Sequence, residues 1–179
     1  MTAAEPSVDQ VALDIQELLR EQEIGALAVL DEGGHPLTCW MHFAADGFRV
    51  YLHLFEHSRT HEALGRDARV SYTLAAIPPE GYSGRGDLRS IQVRARAAPA
   101  EWPEEVQRAV DVSREQFPWM QETRMLDAFA RTPTPAGRSF YRLDPLDALW
   151  TDNRVRMLWR RLITFDDDGT SISDVRPPT

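Results

Sequence analysis

GALAVLD (25–31), PLTCWMHFA (36–44) and FRVYLHL (48–54) follow one another with only EGGH and ADG between them. Glycine-bearing links this short cannot carry a crossover to a parallel neighbour, which takes about a dozen residues or more, so consecutive runs must pair as antiparallel hairpins. ARVSYTLA (68–75) and RSIQVRARA (89–97) continue the series across the Pro- and Gly-rich loop IPPEGYSGRGD. The second alternates, with Arg89, Ile91, Val93, Ala95 and Ala97 on one face and Ser90, Gln92, Arg94 and Arg96 on the other. RSFYRLDP, LDALWTD and, after Asn153, WRRLITF read as further strands, the last leading into a DDDG turn. Short strands without regular βα alternation predict a mainly β, α+β chain whose antiparallel sheet closes or nearly closes into a barrel; a Rossmann sheet is disfavoured.

Helices should flank that sheet. Ser7 and Gln10 fit a capping box ahead of Val11, Ile15, Leu18 and Leu19, which predicts an amphipathic helix over about 8–21 lying on a core. One helical turn is expected around 59–65, and a helical insertion over about 103–131. In that insertion Pro103 suits a first-turn position, Pro118 interrupts, and MQETRMLDAFAR resumes before the linker PTPAG. With 179 residues, 42% of them hydrophobic, the chain can bury one sizeable core, and a single domain spanning residues 1–179 is expected.

Twenty Lys and Arg against 28 Asp and Glu give a formal net charge of −8, which argues against nucleic acid or an acidic membrane as partner, because phosphate backbones are held by a basic face. Any anion must be gripped locally. The single Cys39 cannot form an internal disulfide, no apolar leader follows Met1, and no run approaches the roughly 20 apolar residues that span a bilayer, so a cytoplasmic protein is expected.

A local grip is visible in YLHLFEHSRTHEAL (51–64), which starts as strand and ends as helix with Ser58 and Arg59 at the joint. Free N–H groups at a helix start, a guanidinium fork and a hydroxyl can together hold a phosphate. The plain alternative is an ordinary N-cap at Ser58 beside a solvated Arg59. For the stretch alone the plain alternative is the better reading, and the order of parts shifts the balance: strands, a step carrying Ser58, Arg59 and Thr60, a helical turn, then a strand opening Asp67, Ala68, Arg69, Val70, Ser71. This series resembles the FMN-binding split barrels of the pyridoxamine 5'-phosphate oxidase family, where a Ser-Arg-Lys motif holds the flavin phosphate; Thr60 stands in place of the Lys. The resemblance implies a six-stranded antiparallel split β-barrel with flanking helices, FMN as cofactor, and a homodimer with the cofactor at its interface.

A distant segment adds to it. Trp150 followed by Arg156, Met157, Leu158, Trp159 and Arg160 is similar to the family's Trp and Arg-x-His-x-Arg, with Leu158 in place of His. The resemblance implies cofactor contacts from Trp150 and Arg160 and a substrate contact from Arg156. A leucine neither donates a hydrogen bond nor carries charge, which argues against pyridoxamine phosphate as the substrate. By strand position the resemblance adds Thr38, His53, Leu54, Ser90 and Gln92 on the cofactor side, while Trp40 reads better as packing. The implied activity is FMN-dependent oxidation or reduction of a small molecule by hydride transfer, with no catalytic residue assigned.

Two other readings stay open: the deazaflavin F420 on the same fold, its acidic tail met by Arg85, Arg89 and Arg94, and a non-catalytic flavin or haem binder. His53, His57 and His61 recur every four residues, but the strand-to-helix change among them removes the common face a metal needs, and no metal site is expected. GYSGRG lacks the Lys-Ser/Thr ending of a phosphate loop and reads as a flap, and Asp166, Asp167 and Asp168 lack the ligand spacing of a calcium loop.

Overall fold

The computed structural model describes residues 4–122 and 137–178. Helix α1 (Val8–Glu21) begins where its cap is written: the Ser7 hydroxyl accepts from the Gln10 N–H at 3.2 Å, and Val11, Ile15, Leu18 and Leu19 are buried. The Gln10 side chain does not reach back to complete the box; it donates forward to Asp14 at 3.3 Å. Each buried aliphatic contributes at most about 1.5–3 kcal/mol, so the helix is held by its stripe far more than by its cap.

The strands are β1 (Ile24–Leu30), β2 (Pro36–His42), β3 (Ala44–Asp46), β4 (Arg49–Phe55), β5 (Arg69–Ala76), β6 (Arg89–Pro99), β7 (Arg138–Asp152), β8 (Arg160–Phe165) and β9 (Ile172–Arg176). All pair antiparallel in the order β2-β1-β5-β6-β7-β4-β3, with β8 on β7 and β9 on β8. The sheet curls around one main apolar core covered by α1, as expected of a mainly β, α+β chain. The family resemblance implied six strands, and the eight runs read from the sequence become nine strands among the described residues. One extra arises because the second stretch breaks at Phe43, whose N–H turns to the Glu23 carbonyl (3.1 Å) and leaves β3 separate. Another is β9, which returns after the DDDG turn. In the opposite sense, RSFYRLDP and LDALWTD fuse into β7.

That fusion splits the sheet. The first half of β7 pairs with β4 from Phe55↔Arg138 to Val50↔Leu143, and its second half pairs with β8 from Asp147↔Thr164 to Thr151↔Arg160. The exchange falls at Pro145 and Leu146, where the β6/β7 register shifts between Arg94 and Ala95. Proline has no N–H to contribute to a ladder, so a bulge is the position it tolerates. Gly169, at φ 70°, closes the DDDG turn against the same point: a Cβ there would stand 2.7 Å from the Pro145 ring. On the other side of the curl β2 and β4 approach without pairing and leave a seam.

Three more helices flank the sheet: α2 (Arg59–Arg66), α3 (Pro103–Gln116) and α4 (Pro118–Glu122). Gln116 ties α3 down, its Oε1 accepting the Ala45 N–H (2.8 Å) and its Nε2 donating to the Phe43 (3.0 Å) and Leu19 (3.1 Å) carbonyls. The remainder of the insertion anticipated to residue 131, and PTPAG up to residue 136, lie outside the described residues.

Two glycines make opposite predictions. A Cβ on Gly25 would meet the Thr73 carbonyl oxygen at 2.6 Å, so Gly25→Ala should cost about 1–3 kcal/mol in a urea unfolding experiment. Gly65 lies in α2 with open space around it, and Gly65→Ala should stabilise by about 0.5–1 kcal/mol. Equal effects at the two positions would contradict the packing described.

Candidate functional site

The seam between β2 and β4 opens, beside the start of α2, into a groove of about 250 Å³ whose walls include Cys39, Trp40, His53, Leu54, Ser58 and Thr60. Of the residues anticipated on the cofactor side, His53, Leu54, Ser58 and Thr60 thus converge. Ser58 caps α2, its hydroxyl accepting the His61 N–H (3.2 Å) and its carbonyl the Glu62 N–H (3.1 Å). The backbone N–H groups of Arg59 and Thr60 make no hydrogen bond among the described residues and remain at the positive end of the helix. Thr60 is 8% exposed and its hydroxyl lies 3.5 Å from the Cys39 thiol, so this position is filled by a short side chain packed on β2.

Trp40 is 76% exposed, correcting the expectation that it serves packing. It sits on β2, an edge strand at the seam, where an outward side chain finds no helix above it. Thr38, two residues back, is exposed on the same face. His53 is half-buried with its ring edge-on to Phe140 at 6.0 Å. Burial first, then the charges of Arg138 and His42, pushes its pKa below the ordinary histidine value.

Arg59 does not join Ser58 and Thr60 in this groove. Its exposed side chain lines a neighbouring pocket of about 140 Å³ with Asp31, Glu32, Glu62 and Arg66. Asp31 is held below the usual carboxylate range mainly by the His35 N–H it accepts, with the Arg59 charge a minor cause.

The second cluster lies elsewhere. Trp150 is fully buried in the core and its indole N–H has no partner among the described residues, while Arg156 and Arg160 are exposed at the β7–β8 connection. Phe55, just ahead of Ser58, pairs with Arg138 at one end of β7, and Trp150 stands near the other, about 40 Å along the strand. The two clusters therefore stand at opposite ends of β7. Ser90 and Gln92 lie on the outer face of β6, opposite Thr151 and Leu149. Of the three arginines considered for F420, Arg89 is clamped by Glu17 (2.9 Å) and Glu21 (2.7 Å), Arg94 pairs with Asp147, and Arg85 stacks over Tyr82 at 4.4 Å.

Among the described residues no group of three His, Cys, Asp or Glu side chains is placed to hold a metal ion. His53 faces Phe140, His57 faces Phe55, and His61 Nδ1 lies 3.0 Å from the Tyr141 hydroxyl, so the three imidazoles diverge. In the DDDG turn Asp166 accepts from Thr170 and Ser171, which uses its carboxylate to close a hairpin. GYSGRG forms a 3₁₀ turn (Gly81–Asp87).

Sequence reasoning passed over two residues. Cys39 faces the groove, and its alternation with Thr38 and Trp40 on β2 was the available signal. Asn153 bonds to both connecting loops at the far end of the sheet, and nothing in its sequence context marked it.

With the seam groove and the split strand in view, comparison with known proteins is direct. The sequence pattern of the pyridoxamine 5'-phosphate oxidase family matches residues 12–148. The chain belongs to this family. The match takes in Ser58, Arg59 and Thr60 and ends before Trp150, so the Arg156 to Arg160 segment lies beyond it. Among solved structures, the conserved hypothetical protein Rv2991 from Mycobacterium tuberculosis superposes with a TM-score of 0.66 at 20% identity, over 86% of this chain and 89% of that one. A heme binding protein from Mycobacterium smegmatis gives a TM-score of 0.69 at 16% identity, over 90% of this chain and 59% of that longer one. An FAD-binding protein from Mesorhizobium loti gives 0.54 at 17% identity, covering 76% and 91%. At these identities the likeness is one of fold. No protein with a curated description matches the sequence. Among the described residues no helix is long and apolar enough to cross a membrane.

His53 supplies a pH prediction. A histidine whose folded pKa is depressed leaves stability intact above its unfolded value, about 6.5, and loses it as pH falls toward the folded value, because the unfolded chain protonates first. The imidazole of His53 should titrate below 6.5 by NMR, and acidifying from about pH 7 to 5 should lower the urea midpoint less in His53→Gln than in the parent. A His53 midpoint above 6.5 would contradict its burial.

Proposed function

We propose that this chain is an FMN-binding oxidoreductase acting on a small molecule, one folded unit per subunit and two subunits per pair of sites. The observation that carries it is the β4-to-α2 step, where Ser58 and the unengaged Arg59 and Thr60 amides open onto a groove flanked by an exposed indole. The amides and the helix dipole favour a phosphate, and the Ser58 hydroxyl, already accepting from His61, retains a proton to donate. Arg59 reaches the same corner by a rotamer change, leaving the company of Asp31 and Glu62 for a phosphate that offers it two acceptor oxygens. Thr60 supplies no charge where a lysine would, so the grip relies on Arg59. Trp40 presents an apolar face suited to a flat ring, and burial favours the neutral form of the His53 imidazole beside it.

FMN, when bound, supplies hydride chemistry, so the protein's part is to hold and orient the ring and admit a substrate. Because Arg156 and Arg160 lie at the far end of β7 from Ser58, they serve the groove of a second copy, Arg160 toward the ring and Arg156 toward the substrate. Buried Trp150 shapes that end from beneath. F420 is the weaker reading, since Arg89 and Arg94 are committed to carboxylates. A non-catalytic haem binder is favoured by the His42 and His53 imidazoles and the Cys39 thiol along the groove, and by the fold shared with a protein named for binding heme.

A visible spectrum of the protein loaded with FMN or with haem separates the two. Titration with FMN should show Arg59→Ala binding weaker by roughly 1.5–3 kcal/mol, about 10- to 150-fold. Thr60→Lys should bind FMN more tightly, and light scattering should report a dimer. FMN affinity indifferent to Arg59, or a monomer that binds FMN fully, would overturn the reading.

A further inference from the structure

The β5–β6 and β7–β8 connections leave the same end of the sheet, where Ala76, Arg89 and Asp152 stand side by side on β5, β6 and β7. Asn153 rivets them together. Its N–H donates to the Leu88 carbonyl (3.0 Å), its Nδ2 to the Arg85 carbonyl (2.7 Å), and its Oδ1 accepts the Leu158 N–H (2.9 Å). Arg85 in turn lies 4.4 Å over the Tyr82 ring and donates to the Tyr82 carbonyl (3.0 Å). Tyr82, Arg85, Asn153 and Leu158 are thus linked contact by contact.

This composite surface is apolar beyond what a solvated loop needs. Tyr82 is 82% exposed, Ile77 70%, Leu158 64% and Met157 50%. Leu158 alone among the described non-glycine residues takes a positive φ, 61°, a conformation a leucine adopts only when its surroundings impose it. Leu158 is the third residue of a turn closed by the Trp159 N–H on the Arg156 carbonyl (2.9 Å), its own N–H held by the Asn153 side chain, and its side chain is left outward on the rivet.

Charge on the same surface is selective. Arg154 is taken by Asp152 and Asp14, Arg161 by Glu5, and Arg89 by Glu17 and Glu21. Arg85 and Arg156 pair with no carboxylate among the described residues, in a chain of net charge −8. An inorganic anion has no use for four exposed apolar side chains, and a neutral hydrocarbon has none for two guanidinium groups that pair with no carboxylate among the described residues. We propose that this riveted surface selects a substrate joining an anionic head, met by Arg156 and Arg85, to a flat apolar body laid against Leu158, Met157 and Tyr82: an aromatic carboxylate. The proposal rests on the reading of Arg156 as a substrate contact, and not on which cofactor the groove takes.

The test is calorimetric titration of 2-naphthoate into the protein with and without FMN, with 2-naphthylmethanol and acetate as half-ligands. Naphthoate should bind, and each half-ligand should bind about tenfold more weakly or worse. Arg156→Gln should weaken naphthoate by about tenfold or more. Leu158→Asn, whose side chain tolerates the left-handed backbone, should weaken naphthoate several-fold while Tm holds or rises. FMN affinity, read in the same samples, separates the two proposals: a protein that takes no FMN but keeps this naphthoate pattern sinks the cofactor reading alone. Naphthoate affinity unchanged in both variants would overturn the surface proposed.

Discussion

A strand that must satisfy two partners in succession governs this molecule. β7 pairs with β4 along its first half and with β8 along its second, and the exchange occurs where Pro145 has no N–H to offer. Had β7 kept one partner throughout, the sheet would run on as a simple curled ribbon. Because it exchanges partners, the β4–β3 edge turns one way and the β8–β9 hairpin another. The first movement brings β4 up to β2 and creates the seam; the second carries the Arg156 loop to the opposite end. Both candidate regions are consequences of one local defect in a ladder.

The seam shows how an acidic chain can prepare a place for an anion without a basic face. Two strands that approach but do not pair leave a cleft whose walls are side chains, and the chain then turns sharply into α2. That turn delivers backbone N–H groups, which are positive donors independent of net charge. The Arg59 guanidinium shares its pocket with the nearby carboxylates of Asp31 and Glu62.

Much of this was legible beforehand, and the failures have identifiable causes. The α1 stripe and the alternation from Arg89 to Ala97 are periodic, and periodicity survives folding because it records which face meets the core. Ser58 was readable as a cap since capping is decided within one turn. Strand number was not, because Phe43 breaking away toward Glu23 and β7 running through Pro145 are settled by distant partners. Trp40 misled for a related reason: its residue type says core, and only the position of β2 at an unpaired edge says otherwise. The pocket that Arg59 lines is completed by carboxylates from the β1–β2 hairpin, and the Leu158 N–H is held by an asparagine five residues back; neither has a local signature.

The bulge at Pro145 also acts as an insulator along the chain. In an uninterrupted strand, gaining or losing one residue turns every later side chain to the wrong face. Here the register is already reset mid-strand, so a length change near Leu146 would disturb the β8–β9 half and leave Phe140 and Leu143 seated against β4. The hairpin that ends the chain can therefore be remodelled through descent, lengthened, shortened or re-aimed, while the cleft beside α2 is inherited intact.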